Sequence, residues 1–142
     1  GVMLAKLAVG LDVSLASSLE SPGFKGDPVS RLADQLSWRD PEYGYVRRNV
    51  SPSGFASPIQ IVEVSFPAGA RVAYETGARD PCVHQQVWVL EGSIDVTFGN
   101  ERHRLGVGDC LALVLDQPRT YRNPTRRKER YAVMTAEPGR WR

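Results

Sequence analysis

From Tyr45 onward the apolar side chains recur with period two, and turn residues interrupt the alternation at short intervals. Period two places successive side chains on opposite faces, which suits a strand with one buried face and not a helix. The strands it predicts run over Tyr45 to Val50, Ile59 to Phe66, Ala70 to Glu75, Val83 to Leu90, Ser93 to Phe98, Glu101 to Leu105, Cys110 to Leu115, Thr120 to Arg122 and Arg130 to Thr135. Ser51-Pro52-Ser53-Gly54, Pro67-Ala68-Gly69, Gly99-Asn100, Gly106-Val107-Gly108-Asp109, Asp116-Gln117-Pro118 and Asn123-Pro124 separate them. About nine short strands joined by Gly and Pro turns mean an antiparallel sandwich or barrel, and a jelly roll fits the count.

Ahead of Tyr45 the period changes. Leu4, Leu7, Ala8 and Leu11 line one helical face, Gly10 supplies a left-handed cap, and Ser14 caps a second short helix carrying Leu15 and Leu19. Residues 21–44 read as a connector punctuated by Ser21-Pro22-Gly23, Asp27-Pro28, Asp40-Pro41 and Gly44, with one short helix predicted over Val29, Leu32, Ala33 and Leu36. The organisation is therefore two short helices over 1–20, a linker over 21–44 and a β domain over 45–142. A chain of 142 residues has room for one such domain and an arm.

Hydrophobic residues at 42% are enough to bury a core, so disorder is excluded. Two cysteines, Cys82 and Cys110, are too few for a disulfide framework and too far apart for a zinc ribbon. No apolar run reaches the length of a bilayer span and no secretory signal opens the chain, so the expectation is a cytoplasmic protein with no membrane partner. The overall charge of +2 hides a local +5 over residues 119–130, which leaves about −3 elsewhere. Arg126-Arg127-Lys128-Glu129-Arg130 falls in a predicted turn and reads first as a solvated hairpin, with a phosphate contact as the sharper alternative.

Pro67-Ala68-Gly69-Ala70, then Val87 to Val96 through Glu91-Gly92-Ser93, then Leu105-Gly106-Val107-Gly108-Asp109-Cys110, then Pro118 and Asn123-Pro124 follow one another in a fixed order and spacing. In these residues the chain resembles a cupin over roughly Tyr45 to Ala136. The resemblance implies a double-stranded β-helix, a jelly-roll barrel, that dimerises through its sheets. Leu4 to Leu19 resembles the last two helices of the helix-turn-helix domain of XRE-family bacterial regulators. Together the two resemblances imply a one-component transcription regulator lacking most of its DNA-binding domain. The helix that enters the major groove would precede Met3, so DNA is contacted only through those missing helices.

Metal-dependent cupins take two His and a Glu from the first motif and a third His from the second. By the resemblance the Glu position falls on Gln85, the paired-His positions on Arg79 and Pro81 or on Ala78 and Asp80, and the last His position on Arg119. A guanidinium has no lone pair to donate and carries a fixed charge of its own. The chain has only His84 and His103, so the usual site cannot be assembled, and an alternative one would have to be made from His84, His103 and an acid such as Asp80 or Asp109. The expectation is a metal-free barrel with no cofactor.

What the resemblance leaves at the barrel mouth is Arg79, His84, Gln85 and Arg119, with Tyr74, Trp88 and Tyr121 as aromatic walls. Were Gln85 to face inward, Val87 and Val89 would share its side, and Arg119 would share a face with Tyr121. A fixed guanidinium in an apolar setting favours a carboxylate or similar anion. The alternative for Arg119 is an ion pair with Glu75, Asp95 or Asp109, or extension into water; for Trp88 it is a core or dimer-interface role. Three functional readings follow: a small-molecule effector domain of a homodimeric regulator with no catalytic residues; a small metal-dependent isomerase or dioxygenase; and a dimerisation module with a filled barrel.

Overall fold

A computed structural model describes residues 26–75 and 83–137. The helices expected over 1–20, and Arg79 and Cys82, lie outside the described residues.

All nine expected strands form, within a residue or two of their expected ends, and one strand precedes them. In chain order they are β1 (Ser37–Arg39), β2 (Val46–Asn49), β3 (Ile59–Phe66), β4 (Arg71–Tyr74), β5 (His84–Glu91), β6 (Ile94–Phe98), β7 (Glu101–Leu105), β8 (Cys110–Val114), β9 (Arg119–Arg122) and β10 (Glu129–Ala136). They build a six-stranded sheet, β1-β2-β3-β10-β5-β8, and a four-stranded sheet, β4-β9-β6-β7, every pairing antiparallel. Both sheets contribute to one core: Val64, Phe66, Val87, Val89, Tyr131 and Val133 from the first, Ile94, Val96, Leu105 and Tyr121 from the second. This is the sandwich of two inner faces that the alternation demands.

The connector differs from its expected form. Instead of a helix over Val29 to Leu36 there is a single 3-10 turn at Leu32–Asp34, and Val29, Leu32 and Leu36 are exposed. Helical spacing without a surface to bury it against does not hold a helix. Beyond it Ser37–Arg39 pairs with Val46–Asn49, so the six-stranded sheet starts inside the segment read as linker. Asp40 shapes the turn between them, its Oδ2 accepting from the N–H groups of Glu42 and Tyr43.

Two tight points hold the sheets in place. Gly92, between β5 and β6, has φ +76, and a Cβ there would stand 2.9 Å from the Glu129 Cβ and 3.1 Å from the Lys128 carbonyl oxygen. Only glycine tolerates that conformation at that approach. Asn123 is fully buried after β9; its Nδ2 donates to the carbonyls of Phe66, Pro67 and Arg127, and its Oδ1 accepts from Thr125. The Asn123-Pro124 turn is thus tied to the loop after β3 by side-chain bonds.

Candidate functional site

Residues that pair across neighbouring strands share a face, so the register decides which side chains enter the barrel. On β5, Gln85, Val87 and Val89 stand opposite Thr135, Val133 and Tyr131 of β10, on the inner face. From the other sheet Tyr74 pairs with Arg119, and Val72 with the buried Tyr121, which puts Tyr74 and Arg119 inward as well. On β2, Arg47 pairs with the buried Val64, itself opposite Tyr131. Arg47 therefore also faces the interior.

The polar groups converge. The Tyr121 hydroxyl donates to Gln85 Oε1 at 2.5 Å, and Gln85 Nε2 donates to Thr135 Oγ1 at 3.4 Å. The Arg119 guanidinium lies over the Tyr74 ring, 4.9 Å from its centroid, in a cation–π contact. Tyr74 meets Tyr121 edge-on at 6.0 Å, and Tyr121 stacks on Tyr131 at 6.0 Å, so aromatic rings wall the site from both sheets. Burial pushes the Tyr121 hydroxyl up to about 12 against the opposing pull of Arg119 and Arg47, and raises Tyr131 further. Both stay protonated donors at neutral pH. Burial, with the Tyr74 and Asp40 neighbours, pushes Tyr45 up to about 12 too, again opposed by Arg47.

Arg119 forms no ion pair with any described acid. Asp95 is taken by Arg102, Arg104 and Arg122, and Asp109 accepts the Gly106 N–H. Its Nε is buried with no hydrogen-bond partner among the described residues. Arg47 likewise has no carboxylate partner there. Two guanidinium groups from opposing sheets thus face one tyrosine-lined interior.

The structure brings together Tyr74, Gln85, Arg119 and Tyr121 of the residues named from sequence, and adds Arg47 and Thr135. It does not bring His84 or Trp88 to them. Each is separated from Gln85 by an odd number of residues, so each points to the outer face of the six-stranded sheet, where both are exposed. Arg47 was within reach of the same rule, since it shares a face with Tyr45, a core residue; its charge disguised it as a surface side chain. Cys110 is exposed on the outer face, its Sγ 3.8 Å from Gln86 Oε1.

The donor set does not fit a metal ion. The position of the cupin carboxylate holds an amide whose oxygen already accepts from Tyr121, and the position of the last imidazole holds a guanidinium. His103 sits on β7, opposite Val96, its Nε2 3.2 Å from Glu101 Oε1. Among the described residues no group of three or more His, Cys, Asp or Glu comes together. No helix among them is long and apolar enough to cross a membrane.

No family model matches the sequence, and no curated protein matches it. Solved structures do match in fold. The Cupin_2 domain of an XRE-family transcriptional regulator from Enterobacter cloacae aligns at 18% identity with a TM-score of 0.59, over 66% of this chain and 97% of that one. An HTH_3-family transcriptional regulator from Vibrio cholerae aligns at 24% identity and 0.60, over 69% of this chain and 54% of that one; this chain therefore matches about half of that regulator's length. A sugar phosphate isomerase of the cupin superfamily from Silicibacter pomeroyi aligns at 18% and 0.55, over 72% of this chain and 69% of that one. The described residues have the fold of a cupin domain, one that regulators and enzymes share.

Proposed function

We propose that this chain is the effector-sensing and dimerisation domain of a bacterial transcriptional regulator, and that its barrel takes a small organic anion without a metal. One observation carries the reading: Arg119 and Arg47 enter a tyrosine-walled interior with no described carboxylate to neutralise them. A partly buried cation with no counter-ion is costly, and a carboxylate ligand held by bidentate hydrogen bonds relieves that cost. The Tyr121 and Gln85 pair supplies neutral hydrogen-bonding groups beside it, and the rings take the ligand's apolar body.

In this reading the outer face of the six-stranded sheet joins two protomers. Trp88 and Met134 are exposed there, and Trp88 lies level with Ala132 and Cys110 across β10, β5 and β8. Ligand acts on the regulator to the extent that it binds one arrangement of the pair better than another. The alternative, a metal-dependent cupin enzyme, is disfavoured by an amide and a guanidinium where imidazoles and a carboxylate are required.

Thermal shift against a panel of small carboxylates, sulfonates and amines tests the reading. A carboxylate at about 100 times its Kd adds roughly 2.7 kcal/mol, which raises Tm by several degrees. Arg119→Met and Arg47→Met should abolish the shift. Elemental analysis of protein purified without chelator checks the metal: stoichiometric iron, manganese, nickel or zinc overturns the reading, as does a panel in which amines stabilise and no anion does.

A further inference from the structure

The outer face of the four-stranded sheet is lined with arginine. The register sets Arg71, Arg122, Asp95 and Arg104 in one row across β4, β9, β6 and β7, and places Ala73, Thr120, Thr97 and Arg102 in the next. Asp95 is the sole carboxylate in these two rows. It is buried beneath Arg104, which reaches it through Nε at 2.6 Å and Nη2 at 3.2 Å, and beneath Arg102 at 3.2 Å and Arg122 at 3.6 Å. One charge cannot neutralise three guanidinium groups, and their side chains remain 64%, 63% and 46% exposed for Arg102, Arg104 and Arg122. Arg71 is exposed and pairs with no carboxylate among the described residues. The loop after β9 continues the charge with exposed Arg126, Arg127 and Lys128, adjoining the end where Arg71 and Arg122 stand.

We propose that this face binds the phosphate backbone of duplex nucleic acid, without base recognition. Four strands at about 4.8 Å spacing spread the guanidinium groups over roughly 15 Å, a span that meets several phosphates at one charge per about 1.7 Å of duplex axis. Guanidinium forks match phosphate oxygens bidentately, and the Thr97 and Thr120 hydroxyls between them are further donors. The composition of the face argues for this partner over the other polyanions. None of the large hydrophobic side chains found exposed in the described residues belongs to these rows, so nothing here inserts into a lipid surface. No aromatic stands in them either, so unpaired bases have nothing to stack on. In an intact regulator this face is a second, sequence-independent hold on DNA, which extends the sequence-based expectation of contact through the missing helices alone. It does not depend on the effector reading, and either can fail while the other stands.

Fluorescence anisotropy of a labelled 20-base-pair duplex against the full 142-residue chain tests it over a series of salt concentrations starting near 20 mM. Wild type should bind with log K falling linearly in log salt, equally for unrelated sequences. Arg71→Gln and Arg126→Gln, which break no ion pair among the described residues, should each weaken binding several-fold and flatten the slope by about 0.9. Arg71→Lys should retain the slope, and Arg31→Gln, in the segment before β1, should change nothing. The proposal is overturned by absence of duplex binding at the lowest salt, by an unchanged slope in both glutamine variants, or by capture on phosphatidylserine vesicles without duplex binding.

Discussion

Asp95 on β6 and Glu129 at the start of β10 are both buried, close enough that the charge of one bears on the other, and held in opposite protonation states. Asp95 lies beneath arginines, and its hydrogen bond from Arg104 holds the carboxyl below the usual carboxylate range despite burial. Glu129 has neither a hydrogen-bond partner nor a cation at its oxygens among the described residues. Burial first, and the Asp95 charge second, push it up to about 9. The two were indistinguishable as letters in the sequence. Depth does not decide the charge of a carboxylate here; the donors supplied to it do.

The largest consequence is on the alkaline side. The folded pKa of Glu129 lies above its unfolded value of 4.5, so the folded chain keeps a proton that the unfolded chain releases. Its contribution is fully present below that value and is lost as pH rises toward about 9. Glu129→Gln fixes the neutral form. Urea denaturation should find the variant more stable than wild type by on the order of 3 kcal/mol at pH 8, with the difference vanishing near pH 4. A wild-type stability flat between pH 5 and pH 9 would show that Glu129 finds a partner after all.

Asp95 should give the opposite slope with a smaller size. Its folded pKa lies below the unfolded 3.8, so its contribution is present above that value and lost as pH falls through the folded one. Asp95→Asn should cost about 1 kcal/mol at pH 7, since arginines about half exposed are already well screened by water. Coupling is the sharper measurement. Removing the Asp95 charge lifts a like-charge repulsion, so the folded pKa of Glu129 should fall toward its unfolded value, and the alkaline loss due to Glu129 should level off at lower pH and be smaller in total.

The same contrast between a side chain and its setting explains what could be read from the sequence. The β domain was legible because alternation and Gly/Pro turns are local signals, and they gave nine of the ten strands. Ser37–Arg39 was not, because three residues are too few to show a period and only their pairing with β2 makes them a strand. The cupin resemblance put Gln85 at the carboxylate position, and period-two alternation from an inward Gln85 turns His84 and Trp88 outward. Partnership between strands distant in sequence was not legible. Nothing local says that Arg47 meets the tyrosines of the opposite sheet, or that Glu129, in a run of basic residues, is the member that turns inside.

An effect of similar size tests the buried hydrogen bond between Tyr121 and Gln85. Tyr121→Phe removes the hydroxyl that donates to Gln85 Oε1 and leaves that oxygen without its donor, while Gln85 Nε2 keeps Thr135. The cost should be about 1 kcal/mol by chemical denaturation. Because the Tyr121 hydroxyl is pushed up to about 12, it stays protonated well past pH 9, so the variant's loss should be the same at pH 5 and pH 9. A loss that grew with pH would mean that Arg119 and Arg47 draw the proton from Tyr121, and that the interior holds a phenolate where a neutral donor was inferred.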